Sequence, residues 1–463
     1  MRYISTRGDA PPVSFLDAVL AGMAPDGGLY VPEVWPSLSG FGAAHFFDET
    51  AADVLAAFAG ADLAESEIIT IIARAYAGAF ANPAVTPLRQ IGDESWLLEL
   101  FHGPSLAFKD IAMRMLAQLY DVALSKRNER RTIVCATSGD TGGAAVEAFK
   151  GQDRIDLFVL LPKGRVSDLQ RRFMTSAGAA NVFPVVLDAD FDACQAIVKA
   201  LFVDPHFAGC ARLSPVNSIN WARIAAQSIY YITSSHILSA AGPVSFIVPT
   251  GNFGDAFAGY VAKSMGAPIA TILAATNAND NLVAAVERGE YRRGAGSIAT
   301  LSPAMDVQVA SNFERLVFEA LGRDGVATRG VYEQLAQSGG FTLPADAIGK
   351  IRKLFRAASV SDTRTEAMMK TVYESCGELV CPHTATGIEA PASTDLQMTA
   401  PLVSLATAHP AKFPDTVERA TGVRPQLPAR CADMFSRPEK FDTLPADVEA
   451  VKRYIRERSR AWS

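Results

Sequence analysis

The feature that most restricts the fold of this chain is an alternation of short apolar runs with helical patterns, which begins near residue 94. The runs read WLLEL, TIVCAT, LFVLLP, NVFPVVL, VSFIVPT and APIATILAAT, and each is followed by a turn and a helical segment. Such alternation predicts parallel strands joined by helical crossovers. We therefore expect an α/β fold with open, mostly parallel sheets and helices on both faces.

The two ends of the chain show a different pattern. Before residue 81, apolar residues recur every three or four positions in VSFLDAVLAGMA, ETAADVLAAFAG and ESEIITIIARAYAGAF, which predicts a mainly helical N-terminal region. The C-terminal third is predicted to return to helix and loop, with proline-rich turns near PQLPAR and SRPEKF.

Composition restricts the class of protein. With 463 residues, 49% of them hydrophobic and 20% charged, the chain is long enough for two or three domains and is not predicted to be disordered. A net charge of -6 and the lack of a basic tract argue against nucleic-acid or membrane partners. No secretory signal and no long apolar stretch is present, so we expect a cytoplasmic protein. The six cysteines are scattered, and the spacing of Cys376, Cys381 and His383 matches no standard zinc pattern, so no metal is expected.

Three polar turns follow the apolar runs, at positions where parallel sheets usually bind ligands. They read HGPSLAFKD, SGDTGG and GNFGD. In the last of them, Gly251 and Gly254 allow the backbone to approach a ligand, and a helix begins near Asp255, where free N–H groups form an anion site. A phosphate would fit there. An ordinary strand-to-helix turn with Asp255 as the helix cap remains open, and no nucleotide-binding P-loop or dinucleotide fingerprint is found.

The SGDTGG turn brings short polar side chains to a helix start. Ser138, Asp140 and Thr141 could hold a carboxylate or a cofactor oxygen. The triplet at residues 140–142 is also the DTG of aspartic proteases, but that chemistry needs a second such triplet, which the chain lacks. A plain capping loop remains open.

Lys109 lies just where a helix is predicted to begin, an unfavourable place for a cation. In water only roughly a few lysines in ten thousand carry the free amine at neutral pH, but burial beside Phe101, Leu106 and Phe108 would lower the pKa of Lys109. The placement is then useful for a Schiff base. The alternative is a solvated lysine beside Asp110. A Schiff-base lysine, a phosphate site and a second loop for oxygen anions together predict a pyridoxal phosphate enzyme.

The string LFHGPSLAFKD resembles the cofactor-lysine segment of the threonine synthases, within the fold-type II (tryptophan synthase β-like) pyridoxal phosphate enzymes. The resemblance extends over nearly the whole chain, through APDGGLYVPEVWP, ATSGDTGGAA, LLPKGRVSDLQ, NSINWARI, VPTGNFGDAFAGY, AATNANDNL, SPAMDVQVASNFERL, CPHTATG and LATAHPAKFP. The long helical N-terminal region is similar to the bacterial and fungal branch of that family.

The resemblance implies roles for particular residues. Lys109 would hold the cofactor, and Thr407 would face its pyridine nitrogen. Many relatives have an asparagine beside the cofactor's ring oxygen where this chain has Asp140, so that contact is uncertain here. The residues implied to hold the cofactor phosphate are Gly251, Asn252, Phe253 and Gly254, with Asp255.

The implied reaction converts O-phospho-L-homoserine and water into L-threonine and phosphate by γ-elimination and β-addition of water. For the substrate carboxylate the candidates are Ser138 and Thr141, and for its phosphate Lys163 and Arg165. His102 is interpreted as packed in the loop below the site rather than as a proton carrier. A phospholyase or dehydratase of the same fold, and a non-catalytic binding module, remain as alternatives.

Closure over the substrate implies a division into three domains. We expect a helical domain over 1–92, a large cofactor-binding domain from 93–130 and 213–463, and a small mobile domain over 131–212. The oligomeric state, monomer or homodimer, is not determined by the sequence.

Overall fold

The structure, a computed structural model, describes most of the chain. The described residues are 1–38, 46–137, 139–164, 166–294, 296–394 and 397–463. Their α-helices are α1 (Phe15–Ala21), α2 (Phe47–Ala59), α3 (Glu65–Tyr76), α4 (Lys109–Arg127), α5 (Asp140–Phe149), α6 (Asp168–Thr175), α7 (Phe191–Val203), α8 (Pro205–Cys210), α9 (Trp221–Leu238), α10 (Gly254–Ser264), α11 (Asn281–Arg288), α12 (Phe313–Ala320), α13 (Gly325–Ser338), α14 (Ala345–Arg352), α15 (Asp362–Cys376), α16 (Pro382–Glu389), α17 (Pro414–Thr421) and α18 (Val448–Arg458). Their β-strands are β1 (Tyr3–Ser5), β2 (Tyr30–Pro32), β3 (Leu88–Gly92), β4 (Ser95–Glu99), β5 (Arg131–Ala136), β6 (Ile155–Pro162), β7 (Val182–Leu187), β8 (Leu213–Ser214), β9 (Val244–Pro249), β10 (Ile269–Thr276), β11 (Glu290–Arg292), β12 (Gly340–Thr342), β13 (Phe355–Ser359), β14 (Leu402–Ala406) and β15 (Asp442–Leu444).

A six-stranded sheet forms the centre of the larger part of the molecule. Its strands follow the order β13-β10-β9-β14-β4-β3, and every neighbouring pair is parallel except β3 with β4. Strand β9, VSFIVP, is buried at every position, as expected for a parallel sheet that is covered by helices on both faces. The predicted α/β class and the predicted strands are confirmed.

A second, five-stranded sheet is parallel throughout, in the order β15-β7-β6-β5-β8. Its central strand β6 is completely buried. The edge strand β15 comes from the C-terminal end of the chain, and Val451 and Ile455 of α18 pack in one apolar cluster with Ile197 and Leu201 of α7. The last segment of the chain therefore belongs structurally to this smaller sheet, although the sequence assigned it to the large domain.

The N-terminal region is mainly helical, as predicted. Helices α1, α2 and α3 pack on α4 and α9, and the ring of Trp221 lies 5.9 Å from Tyr3 and 5.3 Å from Phe58 between ring centroids. Helix α9 is buried at every position from Trp221 to Ser235, as expected for a helix at the centre of a large core. In the described ranges no helix has both the length and the apolar character needed to cross a membrane.

The prediction of helix and loop for the C-terminal third is wrong for four segments. Strands β12 (GFT), β13 (FRAAS), β14 (LVSLA) and β15 (DTL) lie there, and β14 occupies a central position between β9 and β4. Each of these strands has only 3 or 5 residues, so the local pattern that predicts a strand is weak. Their strand conformation depends on pairing with neighbours that are distant in sequence.

The topology brings three chain segments to one edge of the six-stranded sheet. Strands β9, β14 and β4 are parallel neighbours, and they end at Pro249, Ala406 and Glu99. The segments that follow their carboxyl ends therefore lie side by side. Two of these segments are polar turns that the sequence singled out, and the third begins with Thr407.

Candidate active site

Lys109 is the first residue of α4, at the end of the turn that follows β4. This turn is joined by backbone hydrogen bonds to the segment after β14: the N–H of Phe108 donates to the carbonyl of Thr407 over 2.9 Å, and that of His409 donates to Leu106 over 3.1 Å. Leu106 has a positive φ of 61°, a strained conformation for a buried leucine. These two bonds join the turn that ends at Lys109 to the segment that begins with Thr407.

The side chain of Lys109 is only 12% exposed, and its amine lies 4.6 Å from the ring centroid of Phe108. Burial, the largest cause, lowers the pKa of Lys109 below the usual lysine value. The negative charge of Asp140 opposes this shift, while Arg223 and Lys412 add to it. A larger share of free amine is therefore present at neutral pH than in a solvated lysine.

The alternative of a solvated lysine paired with Asp110 is wrong. Asp110 is fully buried and points back into the turn, where its carboxylate accepts hydrogen bonds from the N–H of Ser105 over 2.9 Å and from its hydroxyl over 2.7 Å. Burial raises the pKa of Asp110 to about 6. The role of Asp110 is to hold the shape of the turn rather than to pair with its neighbour.

Asp140 lies at the start of α5 and faces two lysines. Its Oδ1 is 2.6 Å from Nζ of Lys412 and accepts a hydrogen bond from Gln170 over 3.1 Å, and its Oδ2 is 3.9 Å from Nζ of Lys109. Burial alone would raise the pKa of Asp140, but the charges of Lys412 and Lys109 outweigh burial and hold the pKa well below the usual carboxyl range. Asp140 is therefore ionised, and it lies beside the amine of Lys109.

The turn between β9 and α10 presents backbone N–H groups. Among the described residues, none accepts a hydrogen bond from the N–H groups of positions 251–253. Phe253 has a positive φ of 62°, and Gly254 begins the helix. This geometry turns successive N–H groups toward one point in front of the helix, where an anion such as a phosphate can bind.

Asp255 has a different environment from the rest of this turn. Its Oδ1 accepts hydrogen bonds from the hydroxyl groups of Tyr230 over 2.5 Å and of Tyr231 over 3.0 Å, and its Oδ2 is buried without a described partner. Burial raises the pKa of Asp255 to about 6. A role for Asp255 in phosphate binding stays a prediction, and its visible contacts join α10 to α9.

Gly251 and Gly349 give a matched pair for a test of the turn. A Cβ at Gly251 would lie 2.5 Å from the carbonyl oxygen of Ala304, whereas a Cβ at Gly349, inside α14, would meet nothing within 4 Å. We expect Gly251→Ala to displace the turn and to weaken pyridoxal phosphate binding about tenfold in a fluorescence titration. Gly349→Ala should leave binding unchanged and raise the free energy of unfolding by about 0.5–1 kcal/mol. Unaltered affinity in Gly251→Ala would contradict the assignment of this turn.

The structure describes only two of the four residues that the sequence suggested for substrate binding. Ser138 and Arg165 lie outside the described residues. Thr141 is half-buried in the first turn of α5, beside Asp140. Lys163 is exposed after β6 and lies 3.9 Å from Asp188, with both side chains largely in solvent. These four assignments stay predictions. His102 is hydrogen-bonded to Glu99 over 2.7 Å, and its interpretation as a histidine packed below the site stays a prediction.

Arg223 is a buried cation that sequence reasoning missed. It lies in the first turn of α9, is 3% exposed, and makes one long hydrogen bond of 3.4 Å to the carbonyl of Val216. Its Nε has no partner among the described residues, and its charge acts on Lys109. Burial lowers the pKa of Arg223 to about 10. An unpaired guanidinium beside the cofactor lysine is suited to bind an anion.

Three family models match the chain. The model described as "Threonine synthase N terminus" matches residues 2–76, the model described as "Pyridoxal-phosphate dependent enzyme" matches residues 81–407, and the model described as "Threonine synthase, C-terminal" matches residues 384–455. Together they span both ends of the chain and the segments that contain Lys109, Asp140 and the turn after β9.

Individual proteins match over their full length. The threonine synthase of Pseudomonas aeruginosa is 44% identical over 461 residues, which cover 98% of this chain and 98% of that protein. The crystal structure of a pyridoxal-phosphate-bound threonine synthase from Brucella melitensis is 49% identical, with a TM-score of 0.96 and full coverage of both chains. The threonine synthase structure from yeast is 35% identical, with a TM-score of 0.93, and covers 99% of this chain and 98% of its own.

Proposed function

The chain belongs to the threonine synthase family, and on that premise we propose how its own residues carry out the reaction. The enzyme is a pyridoxal-phosphate-dependent lyase, and O-phospho-L-homoserine is the substrate that we assign to it, with L-threonine and phosphate as products. The observation that supports this assignment is the buried Lys109, whose amine lies 3.9 Å from the carboxylate of Asp140 at the end of a turn that is hydrogen-bonded to Thr407.

The described residues fit pyridoxal phosphate. The amine of Lys109 can react with the aldehyde group of pyridoxal phosphate, because its lowered pKa leaves a larger share of it uncharged. The N–H groups of 251–253, which have no acceptor among the described residues, and the start of α10 suit the phosphate group of the cofactor. We assign the pyridine nitrogen to the hydroxyl of Thr407, which is 6% exposed, and we infer that Asp140 is a polar contact of the cofactor. When bound, the cofactor withdraws electrons from the carbon atoms of the substrate.

Lys109 is the residue that moves protons. Its amine takes a proton from Cα of the substrate, would pass that proton to the bound cofactor, takes a second one from Cβ and delivers it to Cγ after the phosphate has left. Water is then added at Cβ, and a proton returns to Cα at the end of the reaction. A positioned acid or base of this kind contributes about 10² to 10⁴ in rate. The lowered pKa of Lys109 leaves a larger share of its amine uncharged, so the same nitrogen can take up a proton and give it back.

The two anionic groups of the substrate need cations or donors. We assign the phosphate to Arg223, because it is buried, lacks a carboxylate partner among the described residues, and acts on Lys109. Lys163 and Arg165 remain candidates for the same phosphate. The carboxylate is assigned to Thr141 at the start of α5, with Ser138.

The proposed division of the chain is 1–92, 93–130 with 213–463, and 131–212, and the last of these parts would close over the substrate. The parallel sheet built from β5 to β8 supports the small domain, and β15 supports adding the C-terminal segment to it. We further propose a cytoplasmic enzyme, monomeric or homodimeric, without nucleic-acid or membrane partners. The mild net charge of -6 supports the last point.

A product balance tests this function. The purified protein is incubated with pyridoxal phosphate and O-phospho-L-homoserine, and phosphate, threonine and 2-oxobutyrate are measured together. Equal amounts of phosphate and threonine are expected, because the phosphate leaves Cγ before water adds at Cβ. Phosphate accompanied by 2-oxobutyrate would instead indicate a phospholyase or dehydratase, and no phosphate at all would favour a binding module.

A further inference from the structure

Lys412 is a buried lysine beside the cofactor lysine, and sequence reasoning assigned it no role. Its side chain is 1% exposed, and its Nζ lies 2.6 Å from Oδ1 of Asp140. The same ammonium donates to the carbonyl of Ser105 over 2.8 Å and lies 5.3 Å from the ring centroid of Phe173. Lysine is almost never buried so completely unless its charge is paired, and its single carboxylate partner here is Asp140 within the described residues.

The contacts of Lys412 join three separate segments of the chain. Asp140 begins α5, Ser105 belongs to the turn that leads to Lys109, and Phe173 lies in α6. Lys412 itself follows β14, so it connects the edge of the six-stranded sheet to two helices of the smaller sheet. Because Asp140 also lies 3.9 Å from Lys109, two ammonium groups compete for one carboxylate, and Lys412 is the closer one.

We propose that Lys412 is a positioning residue, which neutralises Asp140 and thereby keeps the amine of Lys109 available in its uncharged form. This proposal rests on the proposed function, in which Lys109 holds the cofactor. An opposite charge within about 4–6 Å favours the charged form of an ionisable group. Without Lys412, the carboxylate of Asp140 would have Lys109 as its nearest cation, and the amine of Lys109 would be held protonated.

Several charged or titratable groups face Lys109 from other elements. They are Asp140 on α5, Lys412 after β14, Arg223 on α9, Asp255 on α10 and His383 on α16. Burial is the largest cause of the lowered pKa of Lys109, the two aspartates oppose it, and the cations add to it. Removing Lys412 takes away one lowering charge and strengthens the pull of Asp140, so both changes raise the pKa of Lys109. Neutralising Asp140 has the opposite effect.

The test compares the wild-type enzyme with Lys412→Met, Asp140→Asn and the double variant, each as the full-length holoenzyme. The measured quantity is the pH midpoint of the change in visible absorption, which follows the protonation of the lysine nitrogen that holds the cofactor. A second measurement is the pH midpoint for acetylation of Lys109 by acetic anhydride in the cofactor-free chain, read by mass spectrometry. Lys126→Met is the control, because Lys126 is also paired with a carboxylate, Glu67, but at the surface and at the other end of α4.

The two single variants are expected to shift the pH midpoints in opposite directions. Lys412→Met should raise both midpoints by about one pH unit, Asp140→Asn should lower them, and the double variant should fall between the two single variants. Lys126→Met should match the wild type. A folded Lys412→Met enzyme with a lowered Tm and wild-type midpoints would overturn the proposal, since a merely structural lysine changes stability alone.

Two further comparisons keep the proposal testable. If Lys412→Met is not recovered as folded protein, Lys412→Gln takes its place, because glutamine can still donate a hydrogen bond to Asp140 but carries no charge, and wild-type midpoints in this variant would overturn the proposal. Borohydride reduction and peptide mapping then locate the cofactor. Cofactor on a lysine other than Lys109 would refute the proposed function, whereas cofactor on Lys109 with unmoved midpoints refutes only the role of Lys412.

Discussion

Lys109→Ala is expected to lower kcat/KM for threonine formation by more than about 10³-fold and to leave the purified protein without covalently held cofactor. The alanine removes both the group that attaches the cofactor and the base that moves protons at Cα and Cβ. Turnover is measured as phosphate and threonine release, and covalent attachment is measured by borohydride reduction followed by peptide mapping.

Two control variants distinguish the loss of the reactive amine of Lys109 from the loss of its positive charge and from a general effect on folding. Lys109→Arg keeps a cation at the start of α4, but guanidinium is not deprotonated in proteins, so this variant should be as inactive as Lys109→Ala. Lys126→Ala changes an exposed lysine in the last turn of the same helix and should retain wild-type turnover. Measurable threonine formation by Lys109→Arg would show that another group moves the protons.

Much of the fold could be predicted from the sequence, because local pattern and tertiary structure agree. The apolar runs at β5, β6 and β9 are long, and their residues are buried on both faces of the sheets, so the pattern in the sequence is strong. Strand β14 could not be predicted, because LVSLA becomes a central strand only through pairing with β4 and β9, which are distant in sequence.

The residues of the site can be divided in the same way, into those that the local sequence indicates and those that only contacts in the folded chain reveal. Lys109 could be found because a cation at a helix start contradicts the local preference, and such contradictions often mark functional positions. Lys412 could not, because it ends a short 3-10 helix, where a cation is favourable. Arg223 was missed although it is, like Lys109, a cation in the first turn of a helix, so the same signal could have found it. Both residues are buried, and Lys412 is paired with a carboxylate, whereas Arg223 has none among the described residues. Only the folded structure shows these features.

Arg223→Met is expected to raise the KM for O-phospho-L-homoserine about 10- to 100-fold, because a charge-assisted bond to the substrate phosphate is worth about 1.5–3 kcal/mol. Pyridoxal phosphate affinity should stay unchanged, since we assign the phosphate of the cofactor to the turn after β9 and not to Arg223. If Arg223 instead served that phosphate, the dissociation constant of the cofactor would rise and KM would change little. Initial-rate kinetics and a cofactor titration of the same protein distinguish the two results.

The same substitution should stabilise the cofactor-free protein by about 1–3 kcal/mol in denaturant unfolding, since the buried Nε of Arg223 has no partner in the described structure. Arg315 is the matched control: it is equally buried, but it donates to the carbonyls of Tyr30 and Ile219 and to Asn312. Arg315→Met should therefore lower the free energy of unfolding, by about 2–4 kcal/mol. A gain in stability together with a loss of substrate binding would show that Arg223 is kept for its ligand, because a residue that served the fold could not improve stability when removed.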